Sequence, residues 1–135
     1  MKNKAIHSLF LLLTTLLWVQ ATPVNAAIPQ VSGTYVTPAK SGTIKFKAQR
    51  AFRAGSWGIG YIGTYNISGK NYPGSFFANG TKGTSLSWSY NSINYEQAGQ
   101  AVVFQQPDGS WLGNISFFDK AGNTTSTGTA KIIIK

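Results

Sequence analysis

Large apolar and small polar residues alternate along much of this chain with a period of two. In Ser85-Leu86-Ser87-Trp88-Ser89-Tyr90 the apolar residues take every second place and serine takes the others. Between Trp57 and Tyr65 the large side chains fall at 57, 59, 61 and 65, with glycine at 58, 60 and 63. Period two puts each set on one face of a strand, the mark of a half-buried sheet. Turn-forming clusters interrupt the pattern at Thr37-Pro38, Ser41-Gly42, Ser68-Gly69, Asn79-Gly80, Asn91-Ser92, Pro107-Asp108-Gly109 and Gly122-Asn123. Turns at roughly 8–12-residue spacing with β-favouring runs between them mark sandwiches and up-and-down barrels. The pattern predicts strands at about 31–37, 43–49, 57–67, 72–78, 84–90, 100–106, 110–118 and 126–134. The predicted fold is all-β: a single-domain antiparallel barrel or sandwich of about eight short strands.

One segment reads two ways. From Thr43 to Gly55 the residues Ala48, Gln49, Arg50 and Ala51 favour helix, and Gly55 would serve as a C-cap. Alternation of Ile44, Phe46 and Ala48 against Lys45 and Lys47 favours a strand, expected to run to about Gln49. If alternation continued further, Arg50 would point inward beside Phe46 and Phe52 and would need a partner, such as a bound anion. A bulge or strand end near Gln49 would return it to water, and that is the expected outcome.

The N-terminal residues follow a different rule. Lys2 and Lys4 precede an apolar run from Leu9 to Val19, and Val24-Asn25-Ala26 supplies small residues where a signal peptidase reads. The run is shorter than the roughly 20 residues of a spanning helix. Residues 1–26 are therefore expected to be a secretory signal peptide, 27–135 the all-β domain, and the product secreted or periplasmic. A domain of about 110 residues can bury one hydrophobic core, and sixteen aromatic residues remain to fill it.

Composition then narrows the chemistry. The chain has no cysteine, and its one histidine, His7, leaves with the signal. Ser-His-Asp and Cys-His nucleophilic systems are excluded from the exported domain, as are His- or Cys-ligated metal sites. Three acids remain, Glu96, Asp108 and Asp119. Two of them sit in Pro107-Asp108-Gly109 and Asp119-Lys120-Ala121-Gly122-Asn123, which read as turns that use carboxylates to bond backbone. No enzyme, catalytic residue, metal or cofactor is expected.

Two clusters are candidate binding surfaces. Trp57, Tyr61 and Trp111 stand beside glycines, which would let a ligand approach closely, and aromatic faces suit sugar rings. Packing in the core explains the same residues equally well for Trp57 and Trp111, whereas Trp88 and Tyr90 read as core. Lys45, Lys47 and Arg50 belong with Lys40 and Arg53 to a cluster that holds much of the positive charge, in a chain of twelve basic and three acidic residues. They could meet an anionic surface, or they could simply be a solvated strand face. The expected partner is a glycan or an anionic envelope component. A membrane surface or a protein partner, as for an inhibitor or adhesin subunit, is the alternative. Nucleic acid is disfavoured, since no nucleic-acid-binding module is visible.

Two resemblances rest on short stretches. Pro107-Asp108-Gly109-Ser110-Trp111 followed by Asp119-Lys120-Ala121-Gly122-Asn123-Thr124 resembles the last hairpin of bacterial immunoglobulin-like modules, which commonly serve in adhesins. Eight short strands opening with Ser32-Gly33-Thr34-Tyr35 resemble the avidin and lipocalin style of calyx, in which tryptophan usually stands where this chain has Tyr35. The ligand residues of the calyx families have no counterpart here.

Overall fold

The computed structural model describes residues 22–23, 28–79, 83–89 and 98–135. All of the expected signal segment except Thr22–Pro23 lies outside the described residues, as do Tyr90, Glu96 and the turns at Gly80 and Asn91. Eight strands carry the fold: β1 (Val31–Val36), β2 (Ser41–Arg53), β3 (Ile59–Ile67), β4 (Lys70–Asn79), β5 (Gly83–Trp88), β6 (Ala98–Gln105), β7 (Trp111–Phe118) and β8 (Thr124–Ile134).

Each strand pairs antiparallel with the next. β8 then pairs back onto β1, from Ile134 opposite Val31 to Thr129 opposite Val36. That seam closes a single up-and-down barrel and leaves no long unpaired edge among these strands. Of barrel and sandwich, the barrel forms, with the architecture implied by the calyx resemblance and not that of the immunoglobulin-like one.

The alternation sorts residues as expected. Alternate apolar positions along the strands face the lumen, and Tyr35, Tyr65, Tyr72, Phe76, Trp88 and Phe117 are all buried there. The Trp88 ring lies 5.3 Å from Tyr65 and 5.9 Å from Phe117, centroid to centroid. Space for it comes from its neighbours, since Trp88 pairs with Gly74 on one side and Gly99 on the other. Aromatic rings thus fill the lumen where a calyx would hold a ligand. Outside, Ser32, Thr34, Lys45, Lys47 and Asn114 are exposed, so most of the wall is polar. A barrel that crosses a membrane has the reverse pattern, an apolar belt facing lipid.

β2 departs from expectation. It runs on to Arg53, with an irregularity between Ala48 and Arg50 where Gln49 is the extra residue. This bulge switches the parity of the strand. Ile44, Phe46 and Ala48 face inward before it, whereas Ala51 faces inward after it, opposite Tyr61. Arg50 pairs with Ile62 on the outer face and is exposed. The strand therefore keeps its apolar face inward without burying a guanidinium. Trp57 also departs from expectation. Gly55 and Gly58 have φ of 57° and 82°, and the chain between them makes a 3₁₀ turn, Gly55–Trp57, so β3 opens at Ile59. Beyond the barrel, Thr22–Pro23 forms a short antiparallel ladder with Arg53 and Phe52 along the part of β2 that β1 does not reach. A cut after Ala26 would remove that ladder.

Candidate functional site

The two ends of the barrel are finished differently, because the stagger of the strands leaves different residues at each. At one end the turns β1–β2, β3–β4 and β7–β8 meet. Tyr35, Ile67, Tyr72, Trp88 and Phe117 are all buried just beneath them. The Tyr35 hydroxyl and the Ser68 hydroxyl lie 3.1 Å apart, and Ser68 Oγ also accepts from the Thr43 backbone N–H at 3.2 Å. The Lys40 ammonium caps the Phe117 ring at 4.2 Å from its centroid, within cation–π range. This end is sealed.

The other end is less fully covered by the described residues. Three partly buried apolar residues, Ile59, Trp111 and Ile134, pack on the lumen core from above. They open β3, open β7 and close β8, so the register gathers them at one mouth. Directly paired residues point to the same face of a sheet. Arg53, opposite Ile59, and Gln105, opposite Trp111, therefore stand on the lumen side at the rim, and both are exposed. Deeper in the same half, Thr84 is buried, and its Oγ1 has no hydrogen-bond partner among the described residues.

The two described acids are engaged in turns. In the β6–β7 turn Asp108 accepts from the Ser110 hydroxyl at 2.6 Å and the Ser110 backbone N–H at 2.9 Å. These bonds hold its carboxyl below the usual range, with a smaller contribution from the positive charge of Lys131. At the sealed end Asp119 accepts from the backbone N–H groups of Ala121 and Asn123, at 2.9 and 2.8 Å. Both are turn devices of the kind the sequence predicts.

The candidate residues fall in three places. Trp111 lies half-buried at the open mouth, and the backbone of Trp57 lies in the turn at the same end. Tyr61 faces the same half of the lumen but is buried, 5.8 Å from Phe76, and belongs to the core and not to a platform. Lys45, Lys47 and Arg50 are exposed along the outer face of β2, a separate surface that does not line the mouth. Ile59 and Ile134 complete the mouth and were not singled out as ligand residues, and Arg53, a member of the basic cluster, joins them there. Their strand-end positions were legible, but the register that joins three distant strand ends was not. No family model, curated protein or solved structure matches this chain. The site is therefore read from its own geometry.

Proposed function

We propose that this chain is an exported, non-enzymatic barrel that binds an anionic glycan of a cell envelope at its open mouth. The observation that carries the reading is the half-buried Trp111, set with Ile59 and Ile134 as an apolar floor beneath the exposed rim residue Arg53. A sugar ring offers an apolar face to such a floor, and an acidic substituent would meet the guanidinium, which recognises planar oxyanions well. Lys45, Lys47 and Arg50 on the nearby outer wall raise the local concentration of an anionic ligand by long-range attraction without touching it. The absence of histidine and cysteine from the exported part, and the use of Asp108 and Asp119 in turns, support a binding role over a catalytic one.

Trp111→Ala tests it, with Trp88→Ala as the core control. Trp88 is 1% exposed, and its truncation is expected to cost about 3–5 kcal/mol of stability, the usual range for a buried tryptophan. Trp111→Ala is expected to cost clearly less and to weaken retention on an array of acidic polysaccharides about 30-fold, the effect of losing an aromatic hot spot. Matching stability losses in the two variants, with unchanged retention for Trp111→Ala, would remove the mouth as the site.

A further inference from the structure

The outer wall departs from its polar pattern in two places: Phe52 and Phe77 bury each other there with Ile62 beside them, whereas a strip on β6, β7 and β8 stays exposed. On β6 and β7 the outward residues Phe104 and Leu112 stand directly opposite each other, and they are 51% and 45% exposed. Val102 shares their face two residues before Phe104, and Ile133 lies on the outer face of neighbouring β8; both are exposed. Lys131 is exposed opposite Leu112 and joins the two parts of the strip. The strip is built and not incidental. Gly83, at φ 83°, lies under the Phe104 ring, and a Cβ there would come within 2.9 Å of Phe104 Cε1. The ring is therefore seated on backbone at a position that excludes other side chains.

We propose that this strip is a second binding surface that docks the barrel on an anionic lipid bilayer, with the apolar side chains entering the interface and Lys131 meeting headgroup phosphates. The proposal does not depend on the mouth reading. Charge chooses the occupant. An exported part with ten basic and three acidic residues is attracted by an anionic surface, and exposed apolar groups beside lysine are what interfacial binding requires. A second copy seated on the same strip would bring Lys131 near Lys131 between two like-charged molecules. The nearest acid in the adjoining turn, Asp108, is already engaged with Ser110. The strip is confined to part of the wall, so the barrel lies on the bilayer and does not span it.

The chain lacks cysteine, so one introduced thiol labels a single site. An environment-sensitive dye would be placed at Asn114→Cys, opposite Val102 beside the strip, and in a second protein at Thr64→Cys on the outer wall of β3. Both would be mixed with vesicles of equal parts phosphatidylglycerol and phosphatidylcholine. The dye at 114 should shift to the blue and be quenched by spin-labelled lipid, while the dye at 64 stays unchanged. Phe104→Ser/Leu112→Ser should keep its melting temperature and lose about 30-fold in vesicle affinity, the transfer cost of two half-exposed side chains. Equal responses from both dyes, undiminished binding by the double variant, or no binding to these vesicles would overturn the proposal. So would a dimer in sedimentation that the double variant abolishes.

Discussion

Gly99→Ala is the sharpest perturbation this barrel offers, because one methyl group meets a ring that has nowhere to go. A Cβ at position 99 would stand 2.3 Å from Trp88 Cζ2 and 2.5 Å from Cε2, far inside contact distance. Trp88 cannot yield easily. It is 1% exposed, with Tyr65 and Phe117 rings against it and Gly74 on its other side. Over-packing of this kind costs roughly 1–3 kcal/mol. Alanine in place of glycine would by itself favour a strand by about 0.5–1 kcal/mol, since the unfolded chain has less freedom to lose. The net expectation is a loss of about 1–2 kcal/mol, or roughly 5–15 °C in melting temperature for a domain of this size. The clash is attributable to Trp88, so a double-mutant cycle with Trp88→Leu isolates it. Trp88→Leu alone destabilises by leaving a cavity, and Gly99→Ala added to it becomes neutral or stabilising, giving a coupling of about 1–3 kcal/mol. Urea titrations followed by far-ultraviolet circular dichroism, which does not rely on tryptophan fluorescence, supply the four free energies. Strict additivity across the cycle would refute the packing argument.

Two further outcomes separate other forces. At Gly69 a Cβ would meet nothing within 4 Å, but φ is 92°, so Gly69→Ala should cost about 1–2 kcal/mol from backbone strain alone, and Trp88→Leu in the same chain should leave that cost unchanged. Tyr65 donates its hydroxyl hydrogen to the Ser75 carbonyl at 2.7 Å, and burial raises its pKa well above the usual tyrosine value, against a smaller lowering from the Ser87 backbone. The folded pKa lies above the unfolded one, so the contribution is whole below about pH 10 and is lost as pH rises toward the folded value. Melting temperatures from pH 8 to 12 should fall on the alkaline side, and Tyr65→Phe should flatten that fall while lowering stability at neutral pH.

What could be read from the chain, and what could not, follows from the range of each signal. Ser85-Leu86-Ser87-Trp88 declares its faces through neighbours two residues apart, and the structure buries Leu86 and Trp88 accordingly. Ser75-Phe76-Phe77 and Ser116-Phe117-Phe118 share another local pattern, and both turn the first phenylalanine into the lumen. Gln49 marks where local reading fails. A bulge is one residue that alternation cannot announce, yet it decides that Arg50 faces water and Ala51 the lumen. Trp57 fails for a related reason, since positive φ at Gly55 and Gly58 ends the extended run that its spacing suggested. The mouth is harder still. Trp88 and Trp111 carry the same inward orientation, and periodicity treats them alike. They differ in height along the barrel axis. Trp111 begins its strand opposite Gln105 and Ile132, whereas Trp88 closes its strand at the other end, between Gly74 and Gly99 and beneath the turns there. Height is set by the stagger that accumulates around all eight strands and by the β1–β8 seam, which joins residues about a hundred positions apart. A pattern of period two carries the face of a side chain but not its height, and in this barrel height separates a ring buried in the core from one half-buried at the rim.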